Sequence, residues 1–338
     1  MKKIKIEKDE TFLSKLGRKI SDFFYNLTQP LGAKIQKKFG GVKSKSQIRR
    51  SELIFYFSLM AFPIIHFIIF YVIVNGNSFL MAFQRYNPTT GKYFWVGLEN
   101  IKAILNEIGN KGALYTAIGN SIKVYLLSVL MIPLRVLFPY YIHKKLPLGG
   151  FFKVMLFLPH ILSTAVLCIL YHWFINFVIP AVGENFGVEI PLLMQGDSVF
   201  MMAWLYSALF GFGNVLMYLG TMSGISQSVE EYARIDGCSL WQEFCYITLP
   251  IILPTIIVYI VNGVAGIFEN QLNLHVFLGN NISNTSANTV GFMIFIKSTQ
   301  GTGKAAYPEP AAIGLLATCV ITPLMILLRR WSKRVEKY

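Results

Sequence analysis

The sequence predicts an all-α, polytopic membrane protein with six transmembrane helices. Three observations carry that class. Hydrophobic residues make up 54% of the 338 residues and charged ones only 14%, with a mean hydropathy of +0.50, too apolar for an ordinary water-soluble domain. Six apolar stretches reach the length of about 20 residues that a helix needs to cross a bilayer. The net charge of +14 sits mostly in the N-terminal tail and beside the apolar stretches, which argues against a nucleic-acid surface and for a membrane protein.

Residues 1–50 carry fourteen Lys or Arg and no apolar run long enough to span. A cleavable signal peptide needs an apolar core soon after its basic start, and this tail has none. Phe12, Leu13, Leu16, Ile20, Phe23, Phe24 and Leu27 form a helical stripe beside Lys15, Arg18 and Lys19, the pattern of an amphipathic helix lying on an anionic membrane. Residues 28–50, rich in Gly and Lys, read equally as a solvated tail. The expected division is a basic tail, 1–50, and a transmembrane domain, 51–338.

The six spans are expected near 53–74, 117–142, 153–177, 199–222, 249–272 and 311–331. The loop of roughly forty residues after the first contains Tyr86, Tyr93 and Trp95, suited to a membrane interface. Lys123 and Arg135 fall within 117–142, where snorkelling towards the ends relieves the cost of burying a charge. With the tail inside, 23 basic residues lie on its side and six on the other, as the positive-inside rule expects. Both termini and the loop 223–248 are then cytoplasmic.

No catalytic constellation is visible. Gly301-Thr302-Gly303-Lys304 lacks the first Gly of a phosphate loop and is followed by Ala305, and neither a nucleophile elbow nor H-E-x-x-H occurs. His66, His143, His160, His172 and His275 are scattered without metal-ligand spacing, so no metal or cofactor is expected on this chain. The four cysteines give no disulfide framework and read as small packing residues.

Residues 228–250 form a polar island between two apolar stretches. Ser228 and Glu231 have capping-box spacing, predicting a helix over 229–236. Gly237 fits the left-handed position that ends many helices. Ser239 and Gln242 repeat the capping spacing, and Leu240, Trp241, Phe244 and Ile247 then share one helical side before Pro250 opens the next stretch.

This island resembles the cytoplasmic "EAA" loop of permeases of binding-protein-dependent ABC importers. Glu231, Ala233, Asp236, Gly237, Phe244, Ile247, Leu249 and Pro250 match its pattern in order and spacing, while Tyr232 and Cys238 replace small residues. The Asp-Gly pair and the Phe-x-x-Ile-x-Leu-Pro ending look most like the carbohydrate (oligosaccharide) type. The resemblance covers roughly 51–338 and implies a type I ABC importer permease (MetI-like) fold. It also implies a second, different permease, two cytosolic ATPase subunits that use ATP and Mg, and an extracytoplasmic solute-binding protein. Glu230, Glu231, Tyr232, Ala233, Arg234, Asp236 and Gly237 would form the coupling element held by an ATPase.

A transport path needs polar residues within apolar spans. Asn262, Glu269, Asn270, Gln271 and Asn273 cluster at the outer half of the fifth. Asn262, Glu269 and Asn273, at i, i+7 and i+11, would share a helical face, and a carboxylate with amides suits sugar hydroxyls. Carbohydrate-type permeases are similar in carrying a Phe-Glu pair here, matched by Phe268 and Glu269. These residues read equally as helix-contact seals, and Tyr171, Trp173, Phe174 and Trp204 as stacking faces or interface anchors. An ion-coupled secondary transporter of a small polar solute is the alternative class, with a membrane-embedded enzyme third. Neither gives a reason for the loop motif.

Overall fold

The computed structural model describes residues 45–279, 285–299, 301 and 303–335. The basic tail before residue 45, with the amphipathic helix expected there, lies outside the described residues. Among the described residues, six helices are long and apolar enough to cross a membrane: Glu52–Met81, Ala113–His143, Thr164–Asn185, Ser198–Ser223, Leu240–Ala265 and Gly303–Lys333. The chain divides into two compact units at Ile73/Val74. In the first, the helix Lys45–His66 passes into a π-helical stretch, Phe67–Ile73, and every side chain from Glu52 to Ile73 is exposed. In a membrane protein such an apolar surface faces lipid or another subunit.

The second unit, Val74 onward, is built around the second span. Leu114 and Ala117, then Val124, then Ile132, Val136 and Tyr140 enter three separate hydrophobic clusters. One span thus packs against most of the others along its length. The expected Arg135 snorkel is not what is seen: Arg135 is buried, and its guanidinium donates to the Tyr259 hydroxyl at 2.6 Å.

Two expected span limits are corrected. Residues 153–177 do not form one helix. A helix over Gly149–Ile161 ends in extended backbone at Leu162 and Ser163 before Thr164 begins the third span. The fifth helix stops at Ala265 instead of 272. Its chain then folds back through turns, a short helix Leu274–Phe277, and an apolar helix Val290–Thr299, before the last helix, Pro308–Val335.

Two π-helical turns, Phe174–Val178 and Phe244–Thr248, each precede a proline by two residues. A proline ring clashes with the carbonyl four residues back, here Asn176 and Tyr246, and a widened turn relieves that clash. The loop after the first span also holds a feature the sequence reading lacked, an antiparallel hairpin pairing Gln84–Asn87 with Lys92–Trp95. Asn87 closes its turn by accepting from the Thr89 amide at 2.9 Å.

Candidate functional site: a clamped loop and a folded-back segment

The polar island folds as helix, glycine turn, helix. The first helix is Gln227–Ile235, two residues earlier than expected at its start. Ser228 and Glu231 do not form a capping box. Ser226 holds the N-cap position without a side-chain cap, its hydroxyl lies 2.8 Å from that of Ser228, and Glu231 accepts from the Gln227 side chain, Nε2 to Oε1, at 2.8 Å. A two-residue offset puts Ser228 inside the helix, where its hydroxyl has no orphan amide to serve.

The helix end follows the sequence reading. Gly237 has φ +73°, the Cys238 amide donates to the Ala233 carbonyl at 3.0 Å, and the Gly237 amide to that of Arg234 at 3.1 Å. Those two bonds are the Schellman pattern, which needs the left-handed residue at the turn. The second capping box is also present: the Gln242 amide donates to Ser239 Oγ at 3.3 Å, and the Ser239 amide to Gln242 Oε1 at 2.9 Å.

What the sequence reading missed is how this loop is held. The end of the second span grips both of its halves. His143 Nε2 donates to Glu230 at 2.7 Å and Lys144 Nζ lies 3.1 Å from the same carboxylate. Lys144 also donates to Glu243, a buried carboxylate at the start of the fifth span. The Tyr140 hydroxyl donates to the Leu240 carbonyl at 2.8 Å, and its ring packs on Phe244 at 4.9 Å. Burial pushes the Glu230 carboxyl up, but the hydrogen bonds from His143 and Lys144, with the Lys144 charge, outweigh it and hold the carboxyl below its ordinary range. The signal lay in charge complementarity between two loops, a basic His143-Lys144 pair in one and Glu230 with Glu243 in the other.

With Glu230 clamped and Ala233 buried, the helix turns another face outward. Val229, Tyr232 and Ile235 recur every three residues and are exposed, Ile235 by 80%. Glu231, Arg234 and Asp236 are exposed beside them. An apolar ridge rimmed by charges on an amphipathic helix is the form that fits a groove on a partner.

The polar residues of the expected path are not on one helical face, because the helix ends at Ala265, before all of them but Asn262. Glu269 and Gln271 line a groove of about 430 Å³ with Gly291, Thr318 and Thr322. Thr318 and Thr322 lie near the middle of Pro308–Val335, so Glu269 sits at mid-depth of that helix instead of near the outer end of the fifth span. Asn262 lines a different groove with Arg329, Arg330 and Lys333. Asn270 holds the turn: its side chain accepts from the Leu272 amide at 2.9 Å, and its carbonyl accepts from the Thr289 hydroxyl at 2.7 Å. Asn273 adopts a left-handed conformation, φ 54°, and starts the helix Leu274–Phe277.

The folded-back segment is anchored by the second span. Asn120 Nδ2 donates to the Ser286 and Asn288 carbonyls at 2.7 and 2.9 Å, and Ser121 Oγ accepts from the Val290 amide at 3.0 Å. Both residues are buried. Gly291 lets this segment approach the Glu269 turn, since a Cβ there would lie 2.4 Å from the Glu269 carbonyl oxygen. Tyr171 is unavailable for stacking on a ligand, being buried with its hydroxyl donated to the Met202 carbonyl at 3.0 Å. Trp173 and Phe174 remain exposed.

Comparison with known proteins agrees with this architecture. The chain is 25% identical over 278 residues to the arabinooligosaccharides transport system permease protein AraP of Bacillus subtilis, covering 80% of this chain and 85% of that one. It is 26% identical to the multiple sugar-binding transport system permease protein MsmF of Streptococcus mutans, covering 81% and 93%. Its fold superposes on a chain of a bacterial ABC transporter that imports the acidic polysaccharide alginate, with a TM-score of 0.71 at 23% identity, over 86% of this chain and 98% of that one. Residues 119–337 match the family described as binding-protein-dependent transport system inner membrane component. That match takes in the clamped loop, the folded-back segment and five of the six spans, and the chain belongs to this family.

Proposed function

We propose that this chain is a permease subunit of an ABC importer for an oligosaccharide, forming half of the translocation pathway. The observation that carries the reading is the exposed ridge Val229, Tyr232 and Ile235 on a helix whose other side is clamped by charge. A docking face that must transmit force needs both features, a surface open to a partner and a rigid tie to the spans. The ridge is the seat for one of two cytosolic ATPase subunits, which consume ATP and Mg, since this sequence has no phosphate loop. Both termini and the loop are then cytoplasmic, as the distribution of basic residues favours.

The names of AraP and MsmF support a carbohydrate as the cargo. A related alginate transporter has been captured with a periplasmic protein carrying a pentasaccharide, which supports an extracytoplasmic binding protein as the donor here. A second, different permease completes the path. On this chain Glu269 is the path residue we propose, a reading supported by its position in the groove with Thr318 and Thr322, its carboxylate offering acceptors to sugar hydroxyls. Asn270 and Asn273 shape the turn that presents it, and Asn262, in a separate groove, is left out. Closing of the ATPases would pull the ridge, and the His143–Lys144 clamp would pass that movement to the second span.

Co-purification tests this reading. The tagged full chain, expressed with its chromosomal neighbours, should bring down an ATPase in mild detergent. Tyr232→Asp with Ile235→Asp should lose that ATPase while staying in the membrane. Uptake that persists with no ATP-hydrolysing partner would favour the ion-coupled class instead.

A further inference from the structure

The groove that takes Asn262 away from the path has a chemistry of its own. It lies between the fifth span and the last two turns of Pro308–Val335, with a volume of about 420 Å³. Its walls are Val258, Val261 and Ile326, and its rim carries Arg329, Arg330 and Lys333. No carboxylate among the described residues lines it. Among the described residues, none of the three cations enters an ion pair, and all three are exposed. Elsewhere the protein pairs its cations where acids are near, as at Lys144 and Lys297. Here three are gathered around a pocket and left open.

We infer that this groove binds the headgroup of an anionic phospholipid from the leaflet into which the last helix ends, with an acyl chain against the apolar wall. Charge and shape together favour that occupant. Exposed basic residues at a span end attract anionic lipid in general, and basic pockets between helices hold specific headgroups. Guanidinium groups bind phosphate bidentately, and Asn262 adds a neutral amide within the same lining. The apolar wall separates this site from a plain phosphate site, since a free anion gains nothing from Val258 and Ile326.

Native mass spectrometry of the full chain, titrated with phosphatidylglycerol, phosphatidylcholine or inorganic phosphate, tests the inference. The wild-type chain should retain phosphatidylglycerol at least about tenfold better than phosphatidylcholine. Arg329→Gln, Arg330→Gln and Lys333→Gln combined should abolish that preference, whereas Lys102→Gln with Lys111→Gln, which removes exposed charge elsewhere, should keep it. Val258→Phe retains every charge and fills the wall, so it should weaken phosphatidylglycerol retention with little change in folding. Equal retention by the triple variant overturns the site. Displacement of the lipid by millimolar inorganic phosphate would make it a phosphate site, and loss of the lipid on assembly with partner subunits would make it a protein contact. Either result contradicts the proposal.

Discussion

The two ends of the second span hold polar structure by different means. At the His143 end, charged groups do the holding: Lys144 is shared by Glu230 and Glu243, with His143 and Tyr140 beside it. Near the Ala113 end the holding is neutral, with the Asn120 amide and Ser121 hydroxyl bonded to backbone of the folded-back segment. The difference follows from what is being held. A helix with three charged residues next to water can supply carboxylates whose desolvation is partial, Glu230 being about a fifth exposed. A chain reversal buried among apolar helices presents only backbone carbonyls and amides, which need neutral partners because an unpaired charge there costs far more than an unpaired amide. One span thus ties a charged loop to a buried turn.

If the charged end is the stronger tie, breaking it should cost most. Lys144→Met leaves the buried Glu243 facing Glu230 without a cation, and removing one partner of a buried pair costs about 3–5 kcal/mol. The expected result is a large fall in thermal stability in detergent, partly restored by adding Glu243→Gln. A normal melting temperature for Lys144→Met would show that the clamp carries no strain. The neutral end should give a smaller loss. Asn120→Leu leaves two buried carbonyls without their donor, about 1–3 kcal/mol, and should loosen the Val290–Thr299 helix specifically, read as faster hydrogen exchange there than in the loop 227–243.

Acid sharpens the contrast further. The Glu230 carboxyl is held below its ordinary 4.5, so its contribution to stability is fully present above that value and is lost as pH falls through the lowered one. Melting temperatures of wild type and Glu230→Gln should differ at neutral pH and converge only below about pH 4.5. The Asn120 bonds have no titrating group, and the deficit of Asn120→Leu should not change over that range. The smallest effect on stability belongs to Glu269→Gln, which preserves size and hydrogen bonding in the groove. Its expected signature is functional, lower uptake with intact assembly and basal ATP hydrolysis. Unchanged uptake would remove Glu269 from the path.

These regions also differ in how much of them could be read in the sequence. The Gly237 turn and the Ser239–Gln242 capping box are local chemistry, complete within a few residues, and both were legible. Span number and type were legible because apolar length decides them. The clamp was not, because its partners are 87 and 99 residues apart and periodicity says nothing of which loops meet. The end of the fifth helix at Ala265 was hidden for a related reason. Beyond Gly266 only Ile267 and Phe268 prolong the apolar run, and the polar Glu269-Asn270-Gln271 that follows reads as a face of the helix when it marks the helix's end. Arg135 was misread because a snorkelling cost was weighed without knowing that Tyr259 lies beside it.

The central claim is that the helix 227–235, turned by Gly237 and tied to the second span, passes ATPase movement to the path. Gly237→Val tests it most directly. At φ +73° a β-branched residue costs about 1–2 kcal/mol in strain, while no atom lies near enough to clash with its Cβ, so the protein should still fold and insert. In proteoliposomes containing the whole transporter, the account predicts that Gly237→Val binds ATPase weakly or hydrolyses ATP without uptake. Substrate-stimulated ATP hydrolysis and uptake both at the wild-type level would contradict it.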